Sequence, residues 1–172
     1  SGKATRNITV DPLSGLTEGE IEDARPYCEL IRRWFNLHPE FSWLPGKFKI
    51  AINGARLDET ALRIHDLGLR LVKNTKGELG FSVYVGGGLG AAAMVGPETA
   101  SFVPVEDILS YLESAMRIYN LKGRRDHQKK LRIKFLVREL GAAEFSRLVD
   151  EDWQQTKDDP ELKLHLKELH NL

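Results

Sequence analysis

Two lysines one residue apart, Lys47 and Lys49, stand in the run Leu44-Pro45-Gly46-Lys47-Phe48-Lys49-Ile50-Ala51-Ile52. In a strand, successive side chains point to opposite faces, so both ammonium groups leave one face while Phe48 and Ile50 leave the other. Downstream, the apolar run Val83-Tyr84-Val85 enters Gly86-Gly87-Gly88-Leu89-Gly90. At such a turn the backbone can approach a ligand closely and offer its N–H groups. Two cations and a bare backbone turn together read as a site for something anionic.

The elements that must carry these residues follow from periodicity and turn chemistry. Residues 6–10 read as a short β segment ended by Asp11-Pro12 and Ser14-Gly15. Thr17 with Glu20 reads as a capping box. Ile21, Ala24, Tyr27, Cys28, Ile31, Trp34 and Phe35 recur at helical spacing, with Pro26 at the first position of the helix proper and His38-Pro39 as its stop. The lysine strand, residues 47–52, turns at Asn53-Gly54. Residues 58–67 read as weakly helical or irregular. Residues 69–73 and 80–85 form a hairpin around Asn74-Thr75-Lys76-Gly77, and residues 89–94 are small and flexible. Pro104 opens a helix over 105–120, and Asp126 caps a second one over 126–140, ended by Gly141. A further helix covers 142–153. A polar linker over 154–159 then leads to an amphipathic helix begun by Asp159-Pro160, with Leu162, Leu166 and Leu169 on one side, set apart from the core. The sum is an α/β (α+β) fold, a small mixed sheet covered by helices, with one domain over 5–153 and a linker and C-terminal helix over 154–172.

Composition narrows the function classes. The chain has 172 residues, with 25 basic and 25 acidic side chains, so the formal net charge is zero. That length supports one compact domain with a real core. Zero net charge argues against a general nucleic-acid binder. Cys28 is the only cysteine, which excludes a disulfide framework and any all-cysteine metal or iron–sulfur site built by this chain alone. No run has the length of a membrane span, and Ser1-Gly2-Lys3 begins no apolar signal region, so the expectation is a soluble, cytoplasmic protein. Ser1-Gly2 reads as a remnant of preparation, and the abrupt opening as that of a piece of a longer protein.

Three other features carry ordinary readings. Cys28 lies on an apolar stripe and reads as core. The neighbours His65 and Asp66 read as a surface turn rather than a catalytic dyad. Lys122, Arg124, Arg125, Lys129, Lys130, Arg132, Lys134 and Arg138 crowd one loop and helix. Their spacing does not aim them at a single ligand, so most read as a solvated face.

The order of five segments resembles the sirohaem-dependent nitrite and sulfite reductases, most closely the assimilatory sulfite reductase haemoprotein. These are Thr5-Arg6-Asn7-Ile8-Thr9, His38-Pro39-Glu40-Phe41, Leu44-Pro45-Gly46-Lys47-Phe48-Lys49, Val85-Gly86-Gly87-Gly88-Leu89-Gly90 and Tyr119-Asn120-Leu121-Lys122-Gly123-Arg124-Arg125-Asp126. The resemblance runs from about Thr5 to Trp153. It implies a reductase that turns sulfite into sulfide in sulfur assimilation, or alternatively nitrite into ammonia. The reaction occurs at a sirohaem iron bridged by a cysteine sulfur to a four-iron four-sulfur cluster whose ligands lie outside this chain. It implies the sirohaem-contacting domain of the first of two pseudo-symmetric halves, inactive alone. It also implies as partners the rest of the reductase polypeptide and an electron donor, a flavoprotein or a ferredoxin, with no nucleic acid and no membrane.

Carried over by position, Arg6, Lys47 and Lys49 are the catalytic cations, the two lysines over the distal face of the iron. Asn7, Gly86, Gly87, Gly88 and Arg132 are the cofactor contacts, Arg132 reaching a sirohaem carboxylate. The physics agrees, since small oxyanions are fixed by cations and their reduction consumes protons. One departure is Gly46, where many relatives have arginine. The competing readings are a non-catalytic relative that keeps the fold, and a nucleic-acid module built on the basic helix. The second leaves the shared face of Lys47 and Lys49 without a purpose.

Overall fold

The computed structural model describes residues 5–16, 18–56, 60–126 and 128–167; of residues 5, 6, 128 and 164–167 the backbone alone is described. Five strands form one mixed sheet in chain order: β1 (Thr5–Val10), β2 (Phe48–Asn53), β3 (Leu67–Lys73), β4 (Leu79–Val85) and β5 (Glu98–Pro104). The first three run parallel, and β3, β4 and β5 are antiparallel neighbours. The hairpin expected around residues 74–77 is β3–β4, closed by Gly77 N–H donating to the Asn74 carbonyl at 2.9 Å.

Register separates the two faces of this sheet. Ile50 pairs with Leu67 and Leu67 with Val85; Ile52 pairs with Leu69 and Leu69 with Val83. Paired residues share a face, so Phe48, Ile50, Ile52, Leu67, Leu69, Leu71, Phe81, Val83 and Val85 make one apolar surface, and all are buried. Helices α1 (Arg25–Leu37) and α2 (Ile108–Lys122) contribute Ile31, Phe35, Leu112 and Tyr119 to the same core. Phe35 stacks on Phe48 at 6.3 Å between centroids, and Tyr27 meets Phe81 edge-on at 5.4 Å. The other face carries Lys49, Gly68, Arg70, Ser82 and Tyr84, and it is where polar chemistry collects.

Several expectations are corrected. Thr17 lies outside the described residues, and Glu20 is in no helix. Its carboxylate accepts from Ser14 Oγ at 2.7 Å and Gly15 N at 2.6 Å, and α1 begins only at Arg25. Strand β5 had no counterpart in the sequence reading. It ends at Pro104, after which Val105–Asp107 form a 3-10 turn and α2 starts at Ile108. Asp126 is not the cap of α3: Gln128–Lys130 make a 3-10 turn, and α3 (Ile133–Leu140) starts behind Arg132. The following helix, α4 (Ala142–Thr156), runs past the expected linker start at 154. Its last turns are tied down by Trp153 Nε1 donating to Ser110 Oγ at 2.9 Å and by a Ser114–Thr156 hydroxyl contact at 3.3 Å. Helix α5 (Pro160–Lys167) is not set apart from the core, because Leu162 is buried within it. Leu169 lies outside the described residues.

Candidate functional site

Lys47 directly precedes β2 and Lys49 lies within it. Both are exposed between the buried Phe48 and Ile50, so the alternation holds. Neither ammonium group has a hydrogen bond or ion pair among the described residues. Asn7 of β1 is the register partner of Lys49 and shares its face; it is exposed, with its amide 3.5 Å from Thr9 Oγ1. Arg6 lies beside them in β1 at the point where the β1–β2 register shifts, and the expectation for its side chain falls outside the described residues.

The glycine turn follows β4 on the next ladder but one. Gly86, Gly87 and Gly88 are all buried, and Gly86 has φ +89, a conformation that favours glycine. A Cβ on Gly87 would lie 2.2 Å from the Arg63 carbonyl oxygen and 2.6 Å from that of His65, which fixes glycine there by space. The turn is not the open row of amides that its sequence implied. Gly86 N–H donates to the Asp66 carbonyl at 2.9 Å, and Gly88 N–H to that of Met94 at 2.9 Å. Residues 89–94 are likewise tied back, by a Gly88–Met94 bridge and by Lys134.

Arg132 joins these elements. At the threshold of α3, its Nε donates to Asp66 Oδ1 at 2.9 Å and its Nη2 approaches the same oxygen at 2.8 Å. The guanidinium lies against the glycine turn, with Nη2 3.5 Å from the Gly87 carbonyl and within 2.7 Å of where a Gly88 Cβ would sit. Its side chain is 18% exposed, and Nη1 has no hydrogen bond among the described residues.

Two residues that the sequence reading passed over complete the site. Asp66 is fully buried, at 0% exposure, not on a surface turn, and its Oδ2 accepts the Lys49 N–H at 3.0 Å. Burial pushes its carboxyl above the ordinary range, opposed by Arg132 and the Lys49 N–H. It forms no dyad with His65, whose Nδ1 meets the Ala61 carbonyl at 3.0 Å. Lys134 is 3% exposed, and its Nζ donates to the carbonyls of Ala92 at 2.6 Å and Leu89 at 3.3 Å. Burial, then Arg132 and Lys47, push its pKa down, while Asp66 pulls the other way. Of the basic cluster, Lys122, Arg124, Arg125, Lys129, Lys130 and Arg138 are exposed, as a solvated face requires. Arg132 and Lys134 turn inward. No periodicity could single out Asp66, since its partner lies 66 residues away.

Among the described residues the local balance is therefore Lys47, Lys49, Arg132 and Lys134 against Asp66, a surplus of positive charge beside a close-packed turn. Exposed Leu89 and Val95 flank that turn with apolar surface. Such a place suits an anion. Gly46 does not enlarge it. Its N–H donates to Tyr119 Oη at 3.1 Å, and a Cβ there would press on Leu131 at 3.1 Å. Cys28 lies on α1, half-buried, with its thiol pushed up by burial, and among the described residues no group of three or more His, Cys, Asp or Glu could hold a metal ion. Among the described residues, no helix is long and apolar enough to cross a membrane.

The chain is similar to known nitrite and sulfite reductases. The chain is 29% identical over 153 residues to sulfite reductase (ferredoxin) 1 of Mycolicibacterium paratuberculosis, covering 88% of this chain and 27% of that protein. It is 31% identical over 153 residues to the ferredoxin–nitrite reductase of Synechococcus elongatus, covering 85% of this chain and 30% of that one. The structure of NirA from Mycobacterium tuberculosis superposes with a TM-score of 0.79 at 28% identity, over 90% of this chain and 28% of NirA. A dissimilatory sulfite reductase I shares the fold at a TM-score of 0.69 and 12% identity, over 87% of this chain and 53% of that one. The chain thus spans less than a third of the length of the two curated relatives. The family model of the nitrite and sulphite reductase 4Fe-4S domain matches residues 1–157, and the chain belongs to that family.

Proposed function

We propose that this chain is the part of a sirohaem- and 4Fe-4S-dependent assimilatory sulfite reductase that supplies cations to substrate and cofactor. The observation that carries the reading is the pair of exposed ammonium groups of Lys47 and Lys49, on one face and without a partner among the described residues, beside the Arg132–Asp66 pair and the glycine turn. The residues fit sirohaem. Arg132 has Nη1 to offer a rim carboxylate, Asn7 stands level with Lys49, and Gly86, Gly87 and Gly88 leave the backbone bare of side chains. They do not fit the cluster, because a chain with one cysteine cannot provide four thiolates. The cluster belongs to the remaining polypeptide, and the unit that contacts sirohaem runs from about residue 5 to the end of α4.

When bound, sirohaem supplies the electrons that reach the oxyanion. This chain's residues do the rest of the work on their side. Lys47 and Lys49, with Arg6 on the neighbouring strand, hold the sulfite oxygens by charge-assisted hydrogen bonds. Their N–H groups face the oxygens that must leave as water, so they stabilise charge there and pass protons on, replenished from solvent. The electron donor is a ferredoxin, as the names of the relatives suggest, and the protein is cytoplasmic.

The second reading, nitrite reduction to ammonia, is favoured by the 31% identity to a nitrite reductase, and the same cations serve it. Turnover of both anions by the full-length reductase with reduced ferredoxin decides between them. A higher kcat/KM for sulfite is expected, and a higher value for nitrite reverses the assignment. A full-length protein that carries no sirohaem absorbance and reduces neither anion is a non-catalytic relative and ends both readings.

A further inference from the structure

Asp66 meets three parts of the site at once. Its main-chain carbonyl accepts the Gly86 N–H at 2.9 Å, its Oδ2 accepts the Lys49 N–H at 3.0 Å, and its Oδ1 takes Arg132 Nε at 2.9 Å and Nη2 at 2.8 Å. It is fully buried. A buried ion pair adds little net stability over an apolar pair of the same shape, so packing alone gives no reason for a carboxylate at the start of β3. Position does. The lysine strand, the glycine turn and the threshold of α3 come from distant parts of the chain, and Asp66 is the atom group common to them.

We propose that Asp66 is the positioning residue of the anion cradle. It locks Arg132 by one edge of its guanidinium, so that Nη1 is left for a ligand carboxylate. Through the Lys49 amide it also sets the height of Lys47 and Lys49 relative to that arginine. The proposal rests on the sirohaem reductase reading. Asp66 touches neither substrate nor cofactor and acts through Arg132 and Lys49.

The test uses the full-length reductase with Asp66→Asn, Arg132→Met and the double variant. Asn keeps the size and an acceptor for the Lys49 N–H but gives up the charge that holds Arg132. Sirohaem loss, followed by its absorbance, is expected to quicken about tenfold or more in Asp66→Asn, on the scale of other groups that orient a ligand from behind. It is expected to quicken by a similar factor in Arg132→Met, and no further in the double variant, because the two residues act as one unit. A purely structural role would lower the urea midpoint and leave the rate of sirohaem loss unchanged. That result, or multiplying effects in the double variant, overturns the proposal. If Asp66→Asn does not fold, the double variant, free of both buried charges, carries the test against Arg132→Met alone. A wild-type reductase that holds no sirohaem overturns the reading beneath, whereas a sirohaem-loaded wild type with an unaffected Asp66→Asn overturns only the role of Asp66.

Discussion

Lys47 and Lys49 carry the same formal charge as Arg132 and Lys134, yet the two pairs are in different physical states. The strand lysines are exposed and have no partner among the described residues. Arg132 and Lys134 are buried or nearly so, one held by a carboxylate and the other by two main-chain carbonyls. The first pair has its hydrogen-bonding capacity free for a ligand. The second has spent most of its capacity inside the protein, fixing the turn and the loop against which a ligand would lie. A cation's usefulness to a site depends on what it already holds, and a count of lysines and arginines does not reveal that.

The largest expected effect breaks the buried side of this contrast. Arg132→Met leaves Asp66 fully buried without its cation, and the loss of one partner of such a pair costs about 3–5 kcal/mol. The variant should also show a distinctive pH dependence. The Asp66 pKa already lies above its ordinary value in the folded chain, and removing Arg132 raises it further. Between the unfolded and folded values the folded chain binds more protons than the unfolded one, so stability falls as pH rises through that window. Urea unfolding from acid to neutral pH should show a falling midpoint that is steeper in Arg132→Met than in the wild type.

Next comes the exposed side. In the full-length reductase, Lys47→Met should lower sulfite turnover per haem by about a hundredfold, the scale for losing one donor aimed at developing charge. Sirohaem content should change by less. Arg132→Met should show the reverse ordering, a larger loss of sirohaem than of turnover per haem. Haem content and turnover per haem in both variants check this; normal turnover per haem in Lys47→Met removes the lysine strand from the substrate site.

Gly87→Ala tests the packed turn itself. Its Cβ meets main-chain oxygens of Arg63 and His65 that cannot rotate away, so overpacking should cost about 1–3 kcal/mol in urea unfolding. Smaller still is Lys134→Met, which loses two hydrogen bonds but also a buried charge and should fall within about 1 kcal/mol of wild type at neutral pH. Its signature lies at alkaline pH. The Lys134 pKa is depressed in the folded state, so the unfolded chain binds more protons as pH approaches 10.5, and wild-type stability gains there. The variant lacks that gain. At the bottom of the scale, Lys47→Met and Lys49→Met should change the stability in urea unfolding by less than about 0.5 kcal/mol, since neither ammonium group has a partner among the described residues.

Local signals in the sequence were sufficient for some of this architecture. The hairpin was legible because residues 69–73 alternate and Asn74-Thr75-Lys76-Gly77 is a strong turn. The shared face of Lys47 and Lys49 was legible because period two needs no tertiary knowledge. Strand β5 is hidden by its small and polar residues, Thr99, Ala100 and Ser101; what makes it a strand is tertiary, the pairing of Ala100 with Val83 of β4 and Ser146 Oγ donating to the Thr99 carbonyl at 2.9 Å. Asp66 was read as surface because an isolated His-Asp dipeptide looks solvated; its burial depends on an arginine brought in by α3. Lys134 vanished into a basic run that faces water everywhere except at its own position and that of Arg132. The glycine turn is legible in the sequence, but the closing of its Gly86 and Gly88 amides is not, since their acceptors, Asp66 and Met94, are not visible from the turn.

Gly46 lies with its would-be Cβ 3.1 Å from the carbon, Cβ and oxygen of Leu131, one residue before Arg132, while Tyr119 Oη accepts the Gly46 N–H and donates to the Leu131 carbonyl at 2.8 Å. Placing a side chain at position 46 is thus no isolated event. It must displace the backbone of Leu131 by a few tenths of an ångström, and with it the residue that pairs with Asp66. Positions 46, 119 and 131 form one packed unit: a side chain at 46 fits only alongside a compensating shift at 131, and a chimera that transplants one without the others carries a misaligned Arg132.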